Sequence, residues 1–234
     1  MNQATTSDVL PPPAAGKGPT WALLVSGIFH PLLVPTYMFL LLALINPYLF
    51  GSNVFGDRRT VLLLLMMVLY TAVIPIISIV IMRLLNMVSS IMMHDKQERI
   101  GPLLMVMIIY FWIYYNLSQN NDTPTIFSAF LLGVVIALAV GFVINVIEKI
   151  SLHGVGMGGL VGMMMIATWF FRGEGFDLGG GVSLSVGVVT LVVVLLAGLV
   201  GSARLALGAH DKFQLYAGYL VGFLAQFLGL AFYF

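Results

Sequence analysis

The sequence lacks cysteine altogether and contains few charged residues. None of the 234 residues is Cys, which excludes disulfides, thiolate nucleophiles and sulfur-ligated metals. Charged residues make up only 8% of the chain and the net charge is +1, so there is no basic stripe to neutralise a nucleic-acid backbone. We therefore expect no nucleic-acid partner. The sequence also lacks an internal repeat and a zinc signature such as H-E-x-x-H.

Apolar residues are abundant instead. They make up 60% of the chain, and the mean hydropathy is +1.06, whereas soluble domains are about 45–50% apolar and about 25% charged. A run of about 20 apolar residues is long enough to cross the hydrocarbon core of a bilayer. The composition therefore predicts an all-α integral membrane protein, a polytopic bundle of about six to seven transmembrane helices.

Seven apolar segments are candidate spans, and they follow a polar tail at residues 1–20. The tail has too little apolar surface to fold, so we expect it to be disordered, with residues 21–234 forming one transmembrane domain. His30-Pro31 and Pro35 interrupt the first candidate, which is therefore either a full crossing or a half-helix in the interface. Pro75 is expected to kink the second. The candidate spans are 21–49, 60–83, 102–118, 125–147, 154–171, 181–203 and 213–233.

Seven crossings would place the connections at 84–101, 148–153 and 204–212 on one face of the membrane, so polar residues in these three segments can converge. Most of the Lys and Arg residues also fall on this face, and a simple charge count makes it cytoplasmic. If Arg99, Lys149 and Arg204 belong to a site, however, the remaining Lys and Arg residues are divided too evenly between the two faces to decide the orientation.

Two of these connections carry sequence motifs. Arg204, five intervening residues and His210 resemble the third motif of the type 2 phosphatidic acid phosphatase superfamily, Ser-Arg-x5-His-x3-Asp. Ser151-x-His153 is similar to the second motif of that family, Pro-Ser-Gly-His. The resemblance covers residues 84–234 and implies a helical membrane core of that family's type.

The remaining motif is matched only distantly, and one position of the third motif differs. Arg99-x-x-Pro102 resembles the family's first motif, Lys-x6-Arg-Pro, but Met92 stands at the position of its Lys. Gln214 stands where the family has Asp. These departures indicate a divergent branch of the family, of bacterial type.

The resemblance implies a phosphohistidine mechanism that requires no metal and no cofactor. It makes His210 the nucleophile and His153 the proton donor to the leaving oxygen. Gln214 takes the place of the orienting aspartate, and its amide oxygen fixes the tautomer of His210 if residues 210–214 form one helical turn. Asp211 would point away on such a helix, so it does not replace the missing carboxylate.

Five further residues are expected to bind the substrate phosphate. Guanidinium groups suit bidentate contact to phosphate oxygens, and we expect Arg99 and Arg204 to form such a clamp. Ser151 and the backbone N–H of Gly154, at the start of the fifth span, would add hydrogen-bond donors at a helix N-terminus. Lys149 would contribute a mobile positive charge.

The leading interpretation is a lipid phosphate or pyrophosphate phosphatase in the inner (cytoplasmic) membrane. Its partners would be a lipid phosphate substrate and the surrounding membrane lipids. Because the family acts on the outer side of that membrane, the resemblance favours a periplasmic site, against the charge count. The alternative is a catalytically weak relative that binds or moves anionic lipid, or a subunit of a membrane complex. Gln214 favours this alternative, and a haem or quinone protein is disfavoured because the paired histidines stand at span ends.

Two glycine-rich segments complete the pattern. Gly158-x-x-x-Gly162 and Gly218-x-x-x-Gly222 predict close helix packing, and such small-residue faces also allow a homo-oligomer. The segment that begins at Arg172 is predicted to be a flexible loop without chemistry.

Overall fold

The chain folds into a bundle of long apolar helices. The computed structural model describes residues 18–88, 97–177 and 183–234, and seven helical segments within them are long and apolar enough to cross a membrane. The predicted all-α polytopic membrane bundle is thereby confirmed. Residues 1–17 of the predicted tail lie outside the described residues, as does Met92 of the first motif.

The helices begin and end near the predicted boundaries, and the connection after the fifth span contains a short β-hairpin. In it β1 (Gly175–Asp177) pairs antiparallel with β2 (Ser183–Ser185), an element that the sequence analysis does not predict. The helices are α1 (Thr20–Ile28), α2 (Val34–Ile45), α3 (Arg58–Val68), α4 (Ile74–Leu84), α5 (Ile100–Ser118), α6 (Thr125–Ile147), α7 (Leu152–Phe170), α8 (Val186–Ala206) and α9 (Lys212–Ala231).

The first span is broken where the prolines predict an interruption. Helix α1 ends at Ile28, a 3₁₀ turn follows at Pro31–Leu33, and α2 continues from Val34. The carbonyl groups at the end of α1 have no following helical turn to accept from, so side chains provide the donors. Tyr37 Oη donates to the carbonyl of Ile28 at 2.5 Å, and a histidine of α7 donates to the carbonyl of Ser26.

The second span changes its hydrogen-bond pattern just before Pro75. Between α3 and α4 lies a π-helical segment, Leu69–Val73, of the kind that often marks a functional or strained position. Pro75 has no N–H to donate to the carbonyl of Thr71, four residues earlier. The buried Tyr110 donates its hydroxyl proton to that carbonyl at 2.8 Å, which satisfies both groups inside the bundle.

Helices α7 and α9 form the most extensive helix contact in the bundle, and glycines let their backbones approach. A Cβ atom added at Gly218 would lie 2.6 Å from the carbonyl oxygen of Ser151, and one at Gly162 would lie 2.9 Å from that of Phe223. The predicted close packing of these glycine pairs is thus confirmed. Because the contact lies within the chain, the same glycines do not provide a face for a second copy.

This packing brings the second and third motifs together. The backbone N–H of Ser151 donates to the carbonyl of Gln214 at 3.2 Å. At the opposite end of the bundle, Arg59 forms an ion pair with Asp122 at 2.9 Å. The connections before α7 and before α9 therefore share one end of the bundle, as the count of crossings predicts.

Replacing Gly218 by Ala tests this contact. The added methyl group would overlap the Ser151 carbonyl, and overpacking of this kind costs about 1–3 kcal/mol, so we expect a lower Tm for the purified protein in detergent. Gly198→Ala on α8 is the matched control, because a Cβ there meets nothing within 4 Å and Ala favours a helix over Gly. Equal Tm values for the two variants would contradict a glycine-dependent contact between α7 and α9.

Candidate functional site

A cavity of about 340 Å³ lies among the helices, apolar along most of its wall and basic at one end. Ile76 and Val80 of α4 line it and are also 50% and 41% exposed on the outer surface of the bundle, so the cavity borders the surface that faces lipid. Among the predicted site residues, those that line the basic end are Arg99, His153, Arg204 and His210.

Arg204 lies in the last turn of α8, not in the connection where the sequence boundaries put it. A cation at this position interacts favourably with the C-terminal end of the helix dipole. Its Nη1 donates to the hydroxyl of Ser26 at 3.3 Å, and its buried Nε has no acceptor among the described residues. A buried donor left without an acceptor is costly, so this position is suited to an anionic acceptor in the cavity.

Arg99 connects the first motif to the second. It ends a 3₁₀ turn at Gln97–Arg99 that leads into α5, and Pro102 occupies the first turn of that helix, where its missing N–H costs nothing. The Nη1 atom of Arg99 lies 3.5 Å from the carbonyl oxygen of Ile150. The two predicted clamp residues therefore approach the same cavity from different helices.

Three further predicted phosphate-binding residues, Ser151, Gly154 and Lys149, are not among the residues that line this cavity. Ser151 is fully buried and caps α7, because its Oγ accepts from the N–H of Gly154 at 3.2 Å. This N–H is therefore used by the cap, while the Ser151 hydroxyl retains its own proton for donation. Lys149 Nζ donates to the carbonyl of Ala209 at 3.0 Å and so ties together the connections that carry the second and third motifs.

His153 occupies the first turn of α7 and contacts the broken first span. Its Nε2–H donates to the carbonyl of Ser26 at 3.0 Å. The ring of His30 packs edge-on against it, with 5.6 Å between ring centroids and 79° between planes. Sequence reasoning treated His30 only as part of a helix break and did not single out Ser26. The available signal was a polar His-Pro pair within an otherwise apolar span.

His210 precedes α9 and contacts Gln214, although not in the way the sequence predicts. Asp211 is the N-cap of α9 and accepts from the backbone N–H of Gln214 at 2.8 Å, so residues 210–214 do not form the helical turn that was the condition for this contact. Instead, His210 Nδ1 donates to Oε1 of Gln214 at 3.1 Å from outside the helix. Gln214 Nε2 in turn donates to the carboxylate of Glu148 at 3.3 Å, a residue that sequence reasoning missed.

Burial and neighbouring cations keep His210 uncharged. The pKa of His210 is lowered from 6.5 to about 4, chiefly by burial. The hydrogen bond to Gln214 opposes this shift, whereas the positive charges of Arg204, Lys149 and Arg99 add to it in that order. The pKa of Lys149 is also lowered, first by burial and then by the charges of the two arginines. A neutral His210 that donates from Nδ1 carries its lone pair on Nε2, which makes that atom a nucleophile at neutral pH.

The basic end of the cavity has the groups needed to bind an anion and to attack it. Within residues 18–88, 97–177 and 183–234, no three His, Asp or Glu side chains converge as a metal site requires. No family model, curated protein or solved structure matches this chain. The function is therefore argued from the chemistry of these side chains.

The lowered pKa of His210 predicts a pH-dependent stability. Because the folded pKa of about 4 lies below the ordinary value of 6.5, the unfolded chain binds the proton more readily, so the contribution is fully present above pH 6.5 and is lost as the pH falls through about 4. We expect the wild type to lose stability relative to His210→Gln across this interval. Thermal unfolding of both proteins in detergent at several pH values measures the difference. A difference that does not change with pH would contradict the prediction.

Proposed function

We propose that this protein is a membrane-embedded phosphatase that releases phosphate from lipid phosphates or diphosphates through a phosphohistidine intermediate. One observation carries the proposal: two arginines and three histidines, His30 among them, line the basic end of a cavity that is apolar along most of its wall and borders the lipid-facing surface. An apolar tail matches the wall of this cavity, and a phosphate matches its end. A soluble phosphate ester would not need the apolar wall.

The proposed reaction uses two histidines. His210 Nε2 attacks phosphorus with its lone pair, the bond from phosphorus to the lipid oxygen breaks, and that oxygen takes a proton from His153. Because Nε2–H of His153 is engaged by Ser26, the proton comes from Nδ1. That second proton is taken up from solvent when the substrate binds, since the negative charge of the phosphate favours a cationic His153. Water then attacks phosphorus and gives one proton to Nδ1 of His153, the phosphorus–nitrogen bond breaks, and inorganic phosphate leaves with both histidines restored.

The arginines stabilise the negative charge that the phosphoryl group carries through both steps. Arg204 has a buried Nε without an acceptor, and a phosphate oxygen supplies one. Guanidinium donors in a buried site act on a phosphate without having to reorganise. The contacts between the three sequence motifs also support the proposal that the chain is a divergent member of the type 2 phosphatidic acid phosphatase superfamily.

The main alternative is a protein that binds or moves anionic lipid without hydrolysing it. It is favoured by one observation, namely that His210 contacts an amide and no carboxylate among the described residues. An amide does not neutralise the imidazolium that forms when His210 attacks phosphorus. Both proposed functions require the protein to bind lipid phosphate, but only the phosphatase hydrolyses it.

Phosphate release from defined lipids tests the proposal. The purified protein is given phosphatidate, phosphatidylglycerol phosphate or a polyprenyl diphosphate in detergent with a chelator, and inorganic phosphate is measured. We expect His210→Gln to abolish release, because the nucleophile is lost. Arg204→Gln is expected to lower it about 10²- to 10³-fold, the usual loss when one preorganised donor is removed.

The matched control is Arg58→Gln, which removes an exposed arginine from the start of α3 at the other end of the bundle. It is expected to release phosphate at the wild-type rate. If the wild type releases no phosphate from any of these lipids but its Tm rises on adding them, and Arg204→Gln abolishes that rise, the protein is a binder and the phosphatase proposal fails.

We further propose that the protein lies in an inner membrane with the site on the periplasmic side. The chain has no cysteine, so single substitutions can be labelled without a background. We expect Lys212→Cys, at the site end of the bundle, to react with an impermeant maleimide on intact cells, and Asn53→Cys, at the other end, to react only after lysis. The reverse pattern would place the site in the cytoplasm.

A further inference from the structure

Glu148 lies at the junction of the second and third motifs, outside both. It follows the last residue of α6 with an extended backbone, φ −139° and ψ 144°. Its Oε1 accepts from the backbone N–H of Lys149 at 3.1 Å and from Nε2 of Gln214 at 3.3 Å. The first bond holds the carboxylate in place, and the second connects it to the partner of His210.

The chemistry of the three groups fixes the direction of each hydrogen bond. A carboxylate only accepts, so the NH₂ group of Gln214 faces Glu148. The amide oxygen of Gln214 then faces His210, where it accepts from Nδ1 at 3.1 Å. A neutral histidine protonated at Nδ1 has its lone pair at Nε2. The orientation of one amide thus determines which nitrogen of His210 is available.

We propose that Glu148 is a positioning residue that acts through Gln214 to hold His210 in the tautomer with an unprotonated Nε2. Its role in turnover rests on the proposed phosphatase function, whereas its effect on the tautomer does not. Where a single carboxylate could bond directly to His210, this site has the amide of Gln214, which is itself hydrogen-bonded to the carboxylate of Glu148.

The other charged groups near His210 do not perform this task. Asp211 is adjacent in sequence, but its Oδ1 caps α9 at the N–H of Gln214. Arg204, Lys149 and Arg99 act on His210 through their positive charge. These positive charges favour the neutral form of His210 but do not select which nitrogen carries the proton. The charge interaction between His153 and His210 does not select a nitrogen either. The selection therefore depends on Gln214.

Substitution of Glu148 by Gln removes the constraint while keeping the shape of the side chain. An amide both donates and accepts, so Gln214 is then free to turn its NH₂ group toward His210, which moves the ring proton to Nε2. We expect ¹⁵N NMR of histidine-labelled protein in detergent to detect one tautomer of His210 in the wild type and a mixture in Glu148→Gln. Phosphate release is expected to fall about 10- to 100-fold, a loss typical of removing an outer partner of a site histidine.

The double variant Glu148→Gln with Gln214→Glu restores the constraint by exchanging the two groups. A carboxylate at position 214 accepts from Nδ1 of His210, and the amide at 148 donates to that carboxylate. We expect the single tautomer to return, together with a higher pKa of His210 because a negative charge now lies beside it. A merely structural role for Glu148 predicts no such rescue.

Glu174→Gln is the matched control, since Glu174 is an exposed glutamate at the opposite end of the bundle, where Asn46 donates to it at 3.5 Å. It is expected to leave the tautomer and phosphate release unchanged. The proposal is overturned if the wild type is protonated at Nε2 of His210, or if Glu148→Gln keeps the single wild-type tautomer. If the tautomer responds as expected while no variant releases phosphate, the positioning role stands and the phosphatase proposal fails.

Discussion

The close approach of α7 and α9 is the constraint on which the rest of the structure depends. Inside a bilayer, helices gain nothing from hiding apolar surface from lipid, so close packing and hydrogen bonds must hold them together. The glycines at 158, 162, 218 and 222 allow backbone contact. At the site end this contact aligns Ser151 with Gln214, and with them the two histidines that the sequence separates by 57 positions.

The broken first span supplies hydrogen-bond partners for two side chains of the site. A regular helix would have bonded all its carbonyl groups internally, and irregular backbone at membrane depth is tolerated only where protein or water satisfies it. Here the end of α1 presents the Ser26 carbonyl to His153 and the Ser26 hydroxyl to Arg204. The end of α1 therefore orients one histidine and one arginine of the site. These two side-chain contacts offset the loss of helical hydrogen bonds at the break.

The sequence predicts the fold well because hydropathy and length report directly on membrane spans. It also predicts which connections meet, since alternate crossings return to the same face. Arg99, His153, Arg204 and His210 were expected from the resemblance to the family's motifs, and all four line the cavity. Glu148 and Ser26 were missed for a physical reason: each acts through a partner at least 66 positions away. A glutamate at a helix end and a serine in an apolar helix have no local pattern that reveals such partners.

The contact between His210 and Gln214 forms without the helical turn on which its prediction was conditional, and the difference bears on the chemistry. On a helix, residues 210 and 214 would share one face and Asp211 would point elsewhere. In the structure Asp211 caps the N-terminus of α9, so the helix begins after His210 and leaves that ring free to reach the cavity from outside. The same cap removes the nearest carboxylate from competition for His210. Gln214 is thus the partner because Asp211 is already engaged.

Placing an amide between His210 and Glu148 also changes the charge balance of the site. Arg204 and Lys149 donate to neutral oxygens of Ser26 and Ala209, so their charges remain for an incoming anion. A carboxylate bonded directly to His210 would compete with that anion for both cations. On the proposed function, the amide therefore favours binding of lipid phosphate. It also gives less stabilisation to the imidazolium of the phosphorylated intermediate, whose nearest identified carboxylate, that of Glu148, lies one hydrogen bond further away.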